Sequence, residues 1–336
     1  MLRRRAGLLG LGFPTGVAFA QVNPVASIFK PMATPAQASY DLSLLVMAVC
    51  TAIFLVVAGL LAYTLVRFRH KPGHEGHEPA QVYGSNQIEI AWTVIPVLIV
   101  VVLTLATARV ISAVQDRPAP ADAVKATVIG HQWWWEIRYP DLGIVTSNEL
   151  HVPVSSQARP RLTFLLLESA DVAHSFWVPQ LSGKTDVFPN RPNKMWLDPI
   201  QVGTYLGNCA EYCGTQHANM LLRVVVQTEP DFEQWVAAQK LAAAEAADAG
   251  RKVFLSLSCV NCHRVGGTSA AGIFGPDLTH LMSRDTLGAG AISNSPENLR
   301  KWVRDPQAIK PGNYMPDMQL SEKELDAVVA YLSTLK

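Results

Sequence analysis

The sequence is poor in charged residues. They make up 16% of its 336 residues, whereas hydrophobic residues make up 49%. This balance excludes an ordinary soluble enzyme and indicates membrane-spanning segments. The formal net charge is only +1, so the chain lacks the basic surface that nucleic-acid binding requires, and we expect no nucleic-acid partner. Its length predicts two or three domains.

Cysteine is also scarce, and this excludes a disulfide framework. Of the 5 cysteines, Cys50 lies in an apolar run and the other four form two close pairs. Each pair is followed by a histidine within a short motif. We therefore interpret the pairs as ligands of a metal or cofactor.

The first 122 residues contain three apolar stretches. Residues 1–20 begin with three arginines and end at the small residues Ala18 and Ala20, a pattern typical of a cleaved signal peptide. The alternative is an uncleaved anchor helix, although Pro14 interrupts the apolar run. In the segment 21–122, two longer runs at about 42–66 and 90–111 predict a transmembrane hairpin.

The connection between these two runs carries Arg67, Arg69 and Lys71 next to the first run. By the positive-inside rule this places the connection in the cytoplasm and everything after the second run outside. We therefore expect a multi-pass protein of two spans in a bacterial inner membrane, in contact with lipid. The same connection contains three histidines, interpreted as part of a solvated loop rather than as a metal site: His70, His74 and His77.

Residues 123–228 contain short strand-like runs broken by Pro, Gly and Asn, a pattern that predicts an antiparallel β-sandwich. Trp133, Trp134 and Trp135 fall in one such run. Because side chains alternate between the faces of a strand, the three cannot all point into the core. We expect one face to contact another subunit or to present an aromatic surface, with sheet packing as the alternative for Trp134 and Trp135.

The segment CAEYCGTQHANM, residues 209–220, concentrates soft metal ligands in one loop. It can aim four side chains at a single point: Cys209, Cys213, His217 and Met220. Such ligands select copper or zinc, and a thioether suits copper. Two thiolates can bridge two copper ions, in which case His174 is the candidate for a second imidazole. A disulfide between the two cysteines is the alternative, but it leaves the other residues without a role.

Residues 229–247 predict a helical linker, and residues 248–336 contain a second motif. Cys259, Cys262 and His263 form C-x-x-C-H, the signature of covalent heme c attachment, in which the histidine is an axial ligand of the iron. By similarity to small cytochromes c, the other axial ligand is a methionine about fifty residues later. Met315 fits because Met-Pro follows a Pro-Gly loop, and Met318 is the alternative.

The string C-x-E-x-C-x-x-x-H-x-x-M, with an upstream D-x-x-H, resembles the dinuclear CuA site of subunit II in cytochrome c oxidases. The resemblance implies a multidomain membrane protein with a transmembrane hairpin, an all-β cupredoxin-like sandwich and an all-α class I cytochrome c-like domain. It implies copper ligation by six residues: the side chains of His174, Cys209, Cys213, His217 and Met220, and the backbone carbonyl of Glu211. A magnesium ion shared with subunit I near Glu211 is a further implication.

Other motifs extend the resemblance. The family motif G-H-Q-W-x-W matches residues 130–135 and implies that electrons enter at Trp133. Glu89, in a Q-x-E-x-x-W-x-x-x-P match, corresponds to the entrance of a proton pathway into subunit I, although a carboxylate also suits a helix N-terminus by electrostatics. The KTDVFPNR string, residues 184–191, implies contacts with subunit I. The implied partners are subunit I, other oxidase subunits and an external cytochrome c or similar donor.

The implied function is that of subunit II of a proton-pumping cytochrome c oxidase, which passes electrons from heme c through CuA to heme a of subunit I. The alternative is a membrane-tethered copper and heme carrier that works without an oxidase partner. A nitrous oxide reductase-like enzyme would need a His-rich catalytic domain that 9 histidines cannot supply. Quinol oxidase subunits lack the two copper cysteines.

Overall fold

The computed structural model describes residues 26–69, 76, 80–115, 118–156, 160–242 and 248–336. The predicted signal peptide, Lys71 and the three histidines of the connection lie outside these residues. Within them the chain forms, in order, a helical hairpin, a β-sandwich and a mainly helical module. We call the sandwich, residues 123–228, the copper module, and residues 248–336 the heme module.

The hairpin consists of α1 (Thr34–Arg67) and α2 (Asn86–Gln115). Their lengths, 34 and 30 residues, exceed the roughly 20 residues that cross a bilayer. Their most apolar windows have mean hydropathies of 2.9 and 2.6 and are not buried within the chain. These are the two candidate spans among the described residues, and each helix begins before the apolar run that predicted it.

The start of α1 is fastened to the copper module. Met32 donates its amide to the Gln180 carbonyl at 2.7 Å. Thr34 donates its amide and its hydroxyl to the Asp198 carboxylate at 2.8 and 2.5 Å. The position of the first span relative to the sandwich is therefore set by hydrogen bonds as well as by chain connection.

The copper module is a sandwich of two five-stranded sheets, ordered β3-β2-β1-β5-β8 and β4-β10-β9-β6-β7. The strands are β1 (Val124–His131), β2 (Trp134–Tyr139), β3 (Ile144–Ser147), β4 (Glu149–Pro153), β5 (Thr163–Ser169), β6 (His174–Trp177), β7 (Thr185–Val187), β8 (Asn193–Leu197), β9 (Gly203–Cys209) and β10 (Leu221–Gln227). Alternation is clearest in β10, where Leu222, Val224 and Val226 are buried between the sheets.

The strand pattern predicted an antiparallel sandwich, but two of the strand pairs are parallel. β1 pairs with β5, and β4 with β10, in parallel register. Parallel neighbours need a crossover connection, and here the intervening strands supply it. β2, β3 and β4 separate β1 from β5 in sequence, and β5 to β9 separate β4 from β10.

The tryptophan run is not part of a single strand, and that prediction was wrong. β1 and β2 form an antiparallel hairpin in which His131 pairs with Trp134 and Gly130 with Trp135. Gln132 and Trp133 form its two-residue turn. Trp135 is completely buried in the core, whereas Trp134 stacks on His131 with ring centroids 4.3 Å apart. Because Trp133 lies in the turn, its side chain is not bound by the alternation of side chains along a strand.

The remaining elements are α3 (Glu229–Gln239), α4 (Asp248–Ser256), α5 (Cys259–Cys262), β11 (Thr286–Leu287), β12 (Ile292–Ser293), α6 (Pro296–Arg304), α7 (Pro306–Ile309) and α8 (Glu322–Leu332). In the heme module α4 crosses α8, and Phe254 packs against Tyr331 with centroids 5.6 Å apart. Gly250 makes the crossing possible, because a Cβ there would lie 2.2 Å from the Ala327 carbonyl oxygen. Ser321 and Glu324 form a capping box at the start of α8.

Candidate metal centre and heme cavity

The metal motif brings its ligand groups to one buried point. The Cys209 and Cys213 sulfurs lie 3.8 Å apart and are not joined in a disulfide. His174 Nδ1 is 3.8 Å from the first sulfur, and His217 Nδ1 is 3.6 Å from the second. The remaining two groups follow the same division, with the Glu211 carbonyl oxygen 3.1 Å from Cys209 Sγ and the Met220 sulfur 3.8 Å from Cys213 Sγ.

Two neighbouring strands of the second sheet and one loop contribute to this point. His174 begins β6 and Cys209 ends β9, and these strands are neighbours in the sheet. The other cysteine, the second histidine and the methionine lie on the loop from β9 to β10, within which residues His217–Asn219 form a 3-10 turn. Cys209, Cys213 and Met220 are almost fully buried. The ligand set of the loop is therefore completed by one residue, His174, from an adjacent strand.

Asp171 fixes the orientation of His174. Its carboxylate lies 2.8 Å from Nε2 of that imidazole, which leaves Nδ1 toward the sulfurs. Gly130 gives the ring its space, because a Cβ there would lie 2.7 Å from the His174 ring. Such a carboxylate contact holds a ligating imidazole in one tautomer.

The hydrogen bond between the two thiols moves their pKa values in opposite directions. Their mutual hydrogen bond lowers the pKa of Cys209 to about 3 and raises the pKa of Cys213. The lowered pKa favours the thiolate form of Cys209, and the thiolate is the form that binds metal. Two sulfurs, two imidazoles, a thioether and a carbonyl fit copper better than a structural zinc site.

The C-x-x-C-H motif opens onto a cavity of about 320 Å³ in the heme module. Cys259, Cys262 and His263 all line it. His263 donates Nδ1–H to the Pro276 carbonyl at 2.8 Å, so that Nε2 remains available to an iron. Burial lowers the pKa of His263, which keeps its imidazole in the neutral, ligating form. The residues present therefore fit a covalently attached heme.

Both candidate methionines line this cavity. Met315 and Met318 lie on the segment between α7 and α8 and line the same cavity as the C-x-x-C-H motif. The Met315 backbone is held from both sides, since its amide binds the Asn313 side chain and its carbonyl accepts from Gln307. These two contacts hold the Met315 backbone in place and support Met315 as the candidate axial ligand.

Part of the cavity wall belongs to the copper module. Trp133 and Trp134 line the cavity beside the heme-module residues. Tyr314 stacks on Trp133 with ring centroids 5.2 Å apart, and its hydroxyl donates to the Gln132 side-chain oxygen at 2.8 Å. Trp133 in turn donates its indole N–H to the Cys213 carbonyl at 2.9 Å. A continuous line of contacts thus joins the heme cavity to a predicted copper ligand.

Comparison with known families agrees with this arrangement. The sequence matches the transmembrane domain of cytochrome C oxidase subunit II over residues 22–110, the periplasmic domain of the same subunit over 145–228, and cytochrome c over 247–336. Cytochrome c oxidase subunit 2 of Alkalihalophilus pseudofirmus is 36% identical over 315 residues, which are 91% of this chain and 90% of that protein. The chain belongs to the cytochrome c oxidase subunit II family.

Another relative in the cytochrome c oxidase subunit II family matches nearly the whole chain, and a solved structure matches part of it. Cytochrome c oxidase subunit 2 of Bacillus subtilis is 33% identical over 335 residues, covering 93% of this chain and 92% of that protein. A crystal structure of the periplasmic domain of subunit II of cytochrome oxidase from Bradyrhizobium japonicum is 28% identical, covers 37% of this chain and 97% of that chain, and has a TM-score of 0.34. The family matches to both subunit II domains and to cytochrome c show that the chain is a subunit II with a fused cytochrome c domain.

Two residues assigned by resemblance to the subunit II family have side chains that do not point into the metal centre. Glu89 is exposed in the first turn of α2. The Glu211 side chain is exposed beside the metal ligands, next to Tyr212, which is 76% exposed. Their roles, and a magnesium ion near Glu211, remain predictions.

Sequence reasoning missed the contacts between the two modules of this subunit II. Glu149 accepts hydrogen bonds from the amides of Asp285 and Thr286. Lys310 is 3% exposed and donates to backbone carbonyls of both modules. Neither residue belongs to a motif, and an isolated charged residue ordinarily predicts a solvated surface.

Proposed function

We propose that the chain receives electrons from an external cytochrome c or a similar donor at heme c and passes them through a dinuclear copper centre to heme a of subunit I, for reduction of oxygen to water coupled to proton pumping. The observation that carries the proposal is the convergence of two thiolates, two imidazoles, a thioether and a carbonyl on one buried point, beside a cavity with a heme-attachment motif. When bound, the copper and heme supply the one-electron chemistry.

The residues around the metal point favour fast electron exchange because they are held rigidly. Asp171 binds both the His174 imidazole and the Gln132 amide, and Gln132 and Trp133 both donate to the Cys213 carbonyl. The turn of the first hairpin and the ligand loop are thereby tied together. Ligands that cannot shift lower the cost of changing the charge of the centre.

The contacts of Trp133 support its proposed role as the point where electrons enter the copper module. It is only 6% exposed, because Tyr314 of the heme module covers it. A diffusing donor therefore cannot reach Trp133 in this arrangement. This supports an order in which electrons reach the heme module first.

The membrane orientation follows from the arginines at the end of α1. Arg67 and Arg69 lie at the connection between the spans, and we propose that this end is cytoplasmic. Both modules then lie on the outer side of the bacterial inner membrane. Glu211 and Tyr212 give the copper module an exposed face beside the metal ligands, which suits contact with subunit I. Glu89 at the membrane edge suits a proton pathway shared with that subunit.

Copper stoichiometry tests the proposal. The purified chain should contain two copper ions and one iron, and its electron paramagnetic resonance should show one unpaired electron shared between two copper nuclei. Cys213→Ser should abolish the shared signal and retain the heme spectrum, because the sites lie in separate modules. Cys50→Ser, on the exposed side of α1, is the matched control and should retain both signals.

The copper reading is rejected if the chain binds a single copper or a zinc ion. It is also rejected if Cys213→Ser leaves the shared-valence signal intact. Copurification with an oxidase subunit I distinguishes the proposed role from that of a carrier without an oxidase partner.

A further inference from the structure

Lys310 is a buried lysine at the contact between the two modules. It lies just after α7 in the heme module and is 3% exposed. Its ammonium group donates to the carbonyl of Trp133 at 2.7 Å, of Asn219 at 2.9 Å and of Gly288 at 3.0 Å. The first two acceptors belong to the copper module and the third to the heme module.

The three hydrogen bonds use the full donor capacity of an ammonium group. Burial of a charge is unfavourable unless hydrogen bonds replace its hydration, and here backbone carbonyls of two modules provide the replacement. If the modules separated, Lys310 would lose two of its three acceptors. Its burial is therefore favourable only in the docked arrangement.

The copper-module acceptors of Lys310 lie at functionally sensitive positions. Trp133 is the tryptophan that binds the Cys213 carbonyl, and Asn219 directly precedes Met220. Four residues after Lys310, Tyr314 stacks on Trp133. One short segment of the heme module thus fixes both the tryptophan and the tyrosine that covers it.

Other contacts allow docking to be measured directly. The Leu221 amide donates to the Ala289 carbonyl at 3.1 Å. The amides of Asp285 and Thr286 donate to the Glu149 carboxylate at 2.9 and 3.0 Å. In each of these bonds the donor and the acceptor belong to different modules, so exchange of these amides with solvent reports separation of the modules.

We propose that Lys310 is a positioning residue that locks the heme module onto the copper module and holds Tyr314 stacked on Trp133. The heme module is then a fixed part of the electron path rather than a mobile donor on a tether. The relevance to electron transfer rests on the proposed function, whereas the docking itself does not depend on any redox role.

Hydrogen–deuterium exchange of the full-length cofactor-loaded chain tests the lock. Lys310→Met keeps a long side chain but removes all three donors. Exchange at Leu221, Asp285 and Thr286 should become faster by about tenfold or more, because loss of a charged hydrogen-bond donor costs at least about a factor of ten in an equilibrium. Amides within β1 and α8 should exchange as in the parent chain.

Lys301→Met is the matched control. Lys301 lies in the same module but is exposed and paired with Glu297 at 2.6 Å. Its substitution should leave exchange unchanged at the three interface amides. Lys310→Arg retains the charge and the donors, and it should restore much of the protection that Lys310→Met removes.

A kinetic readout separates positioning from simple stabilisation. In the parent chain, reoxidation of the reduced heme after rapid mixing should not depend on solvent viscosity, whereas in Lys310→Met it should slow and become viscosity-dependent. Unchanged exchange at the three interface amides in Lys310→Met would overturn the proposal. An equal rise in β1 and α8 would also overturn it, because Lys310 would then support folding rather than docking. Either result leaves the copper and iron counts, which test the proposed function, unaffected.

Discussion

The imidazole of His263 is fixed by a backbone acceptor that cannot itself donate. The Pro276 carbonyl receives Nδ1–H, which assigns the tautomer and leaves Nε2 as the metal-binding atom. Gly275 approaches so closely that a Cβ there would lie 2.6 Å from the ring. One axial position of the predicted heme is therefore specified by the structure around a single side chain, whereas the other has two candidates.

The axial methionine can be identified by substitution. Met315→Ala should eliminate the weak sulfur-to-iron absorption band and lower the heme reduction potential, because methionine ligation raises the potential. Met318→Ala, which removes the other cavity-lining thioether, should do neither. Visible spectra and a redox titration of the two variants provide the measurement, and the reverse pattern would assign the ligand to Met318.

For single residues, the sequence predicts those contacts that are made by residues close together in the chain. Four metal-binding groups lie within one segment, so a loop could be expected to bring them together before any fold was known. Lys310 and Glu149 are different, because each becomes a buried partner only when two modules meet. Their neighbours are distant in sequence, for example Trp133 for Lys310, and no periodicity or motif records such a pairing.

Among the elements, α3 joins the sandwich to the heme module while packing on the former. Thr228 caps the helix by accepting from the Asp231 amide. Trp235 then stacks on His151 of β4, with ring centroids 4.2 Å apart. The first part of the predicted helical linker, α3, therefore packs on the surface of the sandwich.

This contact should make the copper module sensitive to acid. Burial lowers the pKa of His151 from 6.5 to about 4, although the Gln227 side chain acts in the opposite direction. Between these values the unfolded chain binds a proton that the folded chain does not, so stability should fall as pH decreases from 6.5 toward 4. The expected loss at pH 5 relative to pH 7 is about 2 kcal/mol.

Thermal unfolding followed by tryptophan fluorescence at pH 7 and pH 5 measures this effect. His151→Gln should reduce the difference in melting temperature between the two pH values, since glutamine does not titrate. An undiminished difference in the variant would show that another group causes the acid sensitivity.

The hairpin of β1 and β2 was not predicted from the sequence, and its turn shows why. Its turn, Gln132-Trp133, contains none of the Gly, Asn or Asp residues that mark two-residue turns. Tertiary hydrogen bonds hold it instead, from the Gln132 amide to Asp171 and from the Gln132 side chain to the Cys213 carbonyl. The parallel strand pairs escaped for a related reason, because alternation within a strand carries no information on the direction of its neighbour.

For the whole molecule, the docked heme module covers Trp133 of the copper module. Cys259→Ser combined with Cys262→Ser should prevent heme attachment and stop oxidation of an external cytochrome c, while two copper ions remain bound. Steady-state oxidation of the donor, with copper counted in the same sample, is the measurement. Cys50→Ser serves as the control for loss of a cysteine. Oxidation at the normal rate without heme would show that the fused module is an accessory.

The attachment of α1 to the sandwich has a consequence for assembly. The bonds from Thr34 to Asp198 and from Met32 to Gln180 act at the start of the first candidate span. They hold the copper module in a defined orientation relative to α1, independently of any other chain. The proposed partner, subunit I, would therefore meet a copper module whose placement on its own membrane helix is already fixed.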